Sequence, residues 1–166
     1  MAEKVRNELD AIDLLLQDHR EVESLFAEFD SLDEDEDEDA EDLVEDACLE
    51  LEIHDKLETE IFYPAVREAA AGEDDIEDLL DEAEDEHEAV RELIEKLQDM
   101  DADDDARDAL FATLIEQVKH HVEEEETELF PKVKKLEGLD LEELGAEMKE
   151  RKTELLAEMG VDDKGS

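Results

Sequence analysis

Residues 44–65 read VEDACLELEIHDKLETEIFYPA, and Val44, Ala47, Leu51, His54, Glu58, Ile61 and Ala65 recur in it at alternating steps of three and four. That spacing is the buried seam of a bundled α-helix. Two of its members, His54 and Glu58, are polar and therefore point into a core. The segment also contains His-x3-Glu-x5-Pro (His54, Glu58, Pro64), which returns as His121, Glu125, Pro131. Each copy follows a lone histidine, His19 or His87, by 35 or 34 residues, so four of the five histidines fall into two matched half-repeats.

The other three histidines of this set also sit mid-seam. The seams read Leu9, Ile12, Leu16, His19, Val22, Phe26; then Ile76, Leu80, Ala83, His87, Val90, Ile94, Leu97; then Phe111, Leu114, Val118, His121, Glu125, Leu129. One histidine on an apolar face is ordinarily a hydrogen-bonded core residue. Four that converge without partners would each cost about 1–3 kcal/mol, and metal ligation removes that cost. Counting ten residues back from Pro131, as His54 stands ten before Pro64, selects His121 and leaves His120 as a surface histidine. The same register picks Glu125 out of the run at 123–126, opposite Glu58.

Composition bounds the rest. The 166 residues suit one well-buried domain. The net charge is −45 with 4% aromatics, a balance that in other chains signals disorder, but the seams supply the apolar face a disordered chain lacks. Acidic residues coat every polar face. Such a coat fits a halophile cytosol at multimolar salt, where the Debye length is about 3 Å at 1 M and self-repulsion is screened. Nucleic acid would be repelled, and charge this diffuse traces no shape that would mimic it. Cys48 is the only cysteine, which rules out an internal disulfide and reads as a small packed residue. No apolar run exceeds four residues and the N-terminal stretch is polar, so neither a membrane span nor a secretory signal is expected, and the location is cytoplasmic.

Helices are expected from about Val5 to Phe29, Ala40 to Ala71, Asp74 to Met100 and Ala106 to Glu137, with Gly72 and Gly138 as stops. Seven consecutive acidic residues at 33–39 form a solvated connector, and Asp101–Asp105 turns the chain again. Pro64 and Pro131 should bend the second and fourth helices. A shorter amphipathic helix, about Leu141 to Met159, closes one end and carries no ligand candidates. The block around Asp18-His19-x2-Val22 matches that around Glu86-His87-x2-Val90, so two related helical hairpins pair into an all-α, up-down-up-down four-helix bundle.

Helices one and three offer one imidazole each, and two and four each offer His-x3-Glu, whose members lie about 6 Å apart on one face. Four nitrogens and two carboxylates are too many for one tetrahedral ion. They suit two ions that share both carboxylates as bridges, each with a position open to dioxygen, peroxide or nitric oxide. Mixed nitrogen and oxygen donors without thiolate leave iron, manganese or zinc.

The blocks Asp18-His19-Arg20-Glu21-Val22, His54-x3-Glu58-x-Glu60-Ile61-Phe62-Tyr63-Pro64, Glu86-His87-Glu88 and His121-x3-Glu125-Glu126-x2-Leu129-Phe130-Pro131 resemble the hemerythrin-like, or HHE cation-binding, domain. The resemblance spans roughly residues 8 to 137. It implies a bundle domain over 1–137, an appended helix and tail over 138–166, and a non-haem centre of two iron ions held by His19, His54, Glu58, His87, His121 and Glu125, with manganese or zinc as alternatives. The oxygen-carrying members have a second histidine four residues after that of the third helix, where this chain has Arg91, and an aspartate five after the last histidine, where Glu125 comes at four. Glu23, four residues after His19, reads as a surface glutamate, with an extra carboxylate for the site as the alternative, and Tyr63 reads as a packed aromatic beside the bend, with a reach into the metal pocket as the alternative.

The expected function is therefore a metal-binding protein that senses or handles oxygen, nitric oxide, peroxide or iron. Oxygen storage, weak peroxidase or catalase-like turnover, and a metal-free helical interaction module are the competing classes. No nucleophile–base pair, phosphate-cradling loop or cofactor fingerprint supports an enzyme with an organic substrate.

Overall fold

The computed structural model describes residues 10–32, 37–100 and 105–159, without the side chains of 37–39 and 105. Leu9, residues 33–36 of the expected connector and residues 101–104 of the expected turn lie outside the described residues, whereas residues 37–39 and 105, expected in those connections, are already helical. Among those described, all regular structure is helical: α1 (Ala11–Asp30), α2 (Asp37–Leu57), α3 (Tyr63–Ala69), α4 (Asp74–Asp99), α5 (Asp105–Glu124), α6 (Phe130–Lys134) and α7 (Leu141–Glu158). α2 runs into α3, and α5 into α6, through single π-helical turns at Glu58–Phe62 and Glu125–Leu129, so the described residues make four long rods and a shorter fifth helix.

Local chemistry sets the rod ends. Asp10 caps α1 by accepting from the Asp13 N–H at 2.9 Å, and Asp13 reaches back to the Asp10 N–H at 3.4 Å, a reciprocal box that satisfies donors the helix itself leaves free. α4 opens with Asp74, Asp75 and Glu77 at the positive end of its dipole. Gly72 adopts φ +93°, a conformation that side chains resist, and this ends the second rod.

Two apolar clusters fill the bundle. One gathers Ile12 and Leu15 of α1, Phe62, Tyr63 and Val66 of the second rod, Ile76 and Leu80 of α4, and Leu129, Phe130 and Val133 of the fourth rod. The other gathers Val22 and Phe26, Val44, Ala47 and Leu51, Ile94 and Leu97, and Phe111, Leu114 and Val118. Each rod contributes its start to one cluster and its end to the other, in alternating order, which is the up-down-up-down arrangement. His19, His54, His87 and His121, all buried, form the layer between the clusters. α7 packs on α1 and α2 and adds Leu144, Met148 and Leu155 to the first cluster.

The two prolines are accommodated by a change of helical repeat. Proline lacks an N–H and its ring clashes with the carbonyl four residues back; ahead of Pro64 the Tyr63 N–H bonds instead to the Glu58 carbonyl, five residues back, and ahead of Pro131 the Phe130 N–H bonds to that of Glu125. The wider turn shifts the seam. Beyond Glu58 the buried positions of this rod are Phe62, Tyr63, Val66 and Ala70, whereas Ile61 and Ala65, expected in the core, are only half-buried. Such turns recur at functional sites, and here each begins on one of the two glutamates.

Candidate metal centre

All six residues singled out in the sequence converge. His19, His54, Glu58 and Glu125 form one buried group whose donor atoms lie within 4.8 Å of one another, and Glu58, His87, His121 and Glu125 form a second. Both carboxylates belong to both groups. Glu58 Oε1 stands 3.3 Å from His54 Nε2, 2.8 Å from His87 Nε2 and 3.6 Å from His121 Nε2, while Glu125 meets His19 Nε2 at 3.1 Å and His121 Nε2 at 3.5 Å.

The outward nitrogens explain why the inner ones face this way. His19 Nδ1 donates to Glu126 at 2.8 Å, His54 to Asp18 at 3.1 Å, His87 to Asp55 at 2.6 Å and His121 to Glu86 at 2.8 Å. Each imidazole is thus held by a carboxylate of the neighbouring rod, and the four bonds close a ring around the bundle: first rod to fourth, fourth to third, third to second, second to first. Ionised carboxylates only accept, so every Nδ1 carries the proton and every Nε2 turns inward. A carboxylate behind each imidazole is the usual support of a histidine ligand.

That belt was not legible in the sequence. Asp18, Asp55, Glu86 and Glu126 each adjoin a candidate ligand in the chain, but acidic neighbours are everywhere in a protein with 61 of them, and each one serves a histidine on a different rod. Three of the four carry a permanent cation on their outer side. Lys152 Nζ lies 2.7 Å from Asp18, Arg91 grips Asp55 through Nε and Nη2 at 2.8 and 2.9 Å, and Arg20 pairs with Glu126. Lys152 comes from α7, the helix without ligand candidates.

Inside the layer the bonding is incomplete. His19 Nε2, His54 Nε2, His121 Nε2, Glu58 Oε2 and Glu125 Oε1 are buried without a hydrogen-bond partner, and His19 Nε2 and Glu125 Oε1 face each other at 3.1 Å without hydrogen-bond geometry. Five such atoms at about 1–3 kcal/mol each would consume much of a domain's stability. Lone pairs of nitrogen and oxygen aimed at one another call for positive charge between them. The titration behaviour carries the same demand: burial opposes the imidazolium of His121, but Glu125, Glu58 and Glu86 outweigh it and hold the pKa up to about 10. His54 is likewise raised, against its burial, by Glu58 and Asp18, and His87 by Asp55 and Glu58. Burial pushes Glu58 up, yet the surrounding histidines draw it well below the usual carboxylate range. The donor set and its unmet charge fit a pair of cations.

The expectation for Tyr63 is revised, while those for Glu23 and Cys48 hold. The Tyr63 hydroxyl enters the layer, donating to Glu125 Oε2 at 2.5 Å and lying 3.0 Å from Glu58 Oε1 and 3.1 Å from His87 Nε2. The five-residue turn makes this possible by bringing residue 63 back over residue 58. Burial, with the two glutamates, keeps the phenol protonated well above its ordinary range. Glu23 stays at the surface, paired with Arg20 at 3.0 Å. Cys48 is a packed thiol that burial and Glu52 push up to about 12.

A family model described as the hemerythrin HHE cation-binding domain matches residues 10–133. The chain belongs to that family. The crystal structure of an HHE cation-binding domain-containing protein from Mycobacterium kansasii superposes with a TM-score of 0.75 at 23% identity, covering 90% of this chain and 89% of that one, a likeness of fold. No curated protein matches the chain. The HHE match ends before α7, so Lys152 reaches the centre from outside the region that defines the family. No helix among the described residues is long and apolar enough to cross a membrane.

Proposed function

We propose that this HHE protein holds a dinuclear non-haem iron centre with which it senses or handles dioxygen, nitric oxide, peroxide or iron itself. His19 and His54 would hold one ion and His87 and His121 the other, with Glu58 and Glu125 within reach of both. The observation that carries the reading is the pair of buried groups sharing both carboxylates, with their inward atoms unpartnered. Two such ions supply redox equivalents and positions open to a small ligand.

The chain's own residues shape access and proton supply. A cavity of about 220 Å³ reaches the four histidines between Val22, Leu51, Val90, Ile94, Val118 and Val122, and its apolar walls favour small neutral ligands over anions. Arg91 stands at its edge but is turned onto Asp55, so it steadies His87 instead of replacing the second histidine of the oxygen carriers. This supports sensing or redox handling over reversible carriage. Tyr63, a proton donor on Glu125, favours a second reading, peroxidase or catalase-like turnover. Hydrogen peroxide consumption by the iron-loaded protein, compared with Tyr63→Phe, separates the two: turnover that disappears in the variant establishes the enzyme, and its absence in both leaves the sensor. The acidic coat supports work at molar salt in a cytoplasm.

Anaerobic iron loading in molar KCl followed by chelator washing and elemental analysis is the direct test. Two tightly held ions per chain are expected, lost in His54→Ala and His121→Ala and retained in His120→Ala. One ion or none in the parent protein, or equal loss in all three variants, defeats the assignment.

A further inference from the structure

The ring of carboxylates behind the histidines has one irregular member. Asp18, Asp55 and Glu126 are each capped on their outer side by a lysine or arginine. Glu86, which accepts from His121 through Oε1, has no lysine or arginine partner among the described residues. Its Oε2 faces His120 Nε2 at 3.4 Å, and Glu124 Oε2 stands 3.4 Å from the same nitrogen. At the place where three sister positions carry a fixed positive charge, the fourth carries an imidazole and a second carboxylate.

The spacing of these atoms fits a metal ion. Their donor atoms all lie within 4.8 Å of one another. Nitrogen and oxygen ligands about 2.1 Å from a tetrahedral ion are separated by about 3.4 Å along the tetrahedron's edge, the separation found between His120 Nε2 and each carboxylate. One nitrogen and two carboxylate oxygens match a first-row divalent cation and are poorer in oxygen than magnesium or calcium prefer. The position is open to water, with the His120 side chain 60% exposed, so water can fill a fourth place.

We propose that Glu86, His120 and Glu124 form an outer, mononuclear site for a divalent transition cation such as zinc or ferrous iron, supplying the cation that Glu86 otherwise lacks. Because Glu86 grips both this site and His121, occupation of the outer position steadies one imidazole of the buried centre. The site is exposed and has three protein ligands, so it exchanges its ion more readily than the buried pair. The proposal does not depend on the nuclearity of the inner centre.

The test is equilibrium dialysis of zinc in molar KCl against the parent protein, His120→Asn and Glu124→Gln, with metal quantified per chain. Helical circular dichroism controls for folding. The parent should bind one equivalent more than His120→Asn, and Glu124→Gln should weaken that equivalent by roughly tenfold or more, the scale on which metal sites respond to a lost partner. If the inner centre takes fewer ions than two, the difference of one between parent and His120→Asn still stands, so the two readings fail separately. Equal stoichiometry in parent and His120→Asn, or an extra equivalent untouched by both substitutions, overturns the outer site.

Discussion

At the scale of single residues, the centre is a place where a demand for positive charge is built in by geometry before any cation arrives. Protons can meet the demand only in part, which makes the metal-free protein sensitive to pH. His121 is held up to about 10, above the value of about 6.5 for an unfolded imidazole. Its pairing therefore contributes stability that is complete below about pH 6.5 and is lost as pH rises through about 10. Glu58, held low, contributes above the unfolded carboxylate value of about 4.3 and loses its share as pH falls below it. The melting temperature of metal-free protein in molar KCl should thus be highest between about pH 4.3 and 6.5 and decline toward pH 10. Metal-loaded protein should lack the alkaline decline, because cations replace those protons. Parallel profiles for the two forms would contradict this account.

Among elements, the π turns and α7 do what a plain four-helix bundle does not. Each turn begins on a glutamate and ends just before a proline, so one local irregularity both accommodates the ring and brings Tyr63 over Glu58. α7 fixes Asp18 through Lys152, an ion pair with Asp18 almost wholly buried. Asp18 in turn orients His54. Lys152→Met should therefore loosen metal held on the His19 and His54 side by roughly 10- to 100-fold, while Lys152→Arg restores much of the loss. The readout is the competition of each metal equivalent against a chelator. Unchanged affinity of both ions in Lys152→Met would reduce α7 to a packing element.

For the whole molecule, the governing quantity is the net charge of −45 spread over every polar face. Screening confines the repulsion to about 3 Å at 1 M salt but lets it reach about 30 Å at 0.01 M. The apolar clusters must hold the rods together against that field. Metal-free protein is therefore expected to lose helical circular dichroism, and to melt at falling temperature, as KCl is lowered from molar to millimolar. An invariant spectrum and melting temperature over that range would remove the case for adaptation to salt.

What the sequence determined by itself was the periodic part of the protein. Seams at steps of three and four carried the all-helical fold, the half-repeat carried the pairing of hairpins, and the distance to each proline separated His121 from His120. These features are local or repeat at fixed intervals, so they survive in one dimension. Only the tertiary structure decided which carboxylates stand behind the histidines, because Asp18, Asp55, Glu86 and Glu126 each serve an imidazole on another rod and are chemically indistinguishable from dozens of surface acids. The register beyond Glu58 was also out of reach: a single wider turn moves Phe62 and Val66 inward and Tyr63 over the centre, and helical periodicity assumes that no such turn occurs. Lys152 lay hidden for the same reason as the belt, since its role exists only once α7 has folded back along α1.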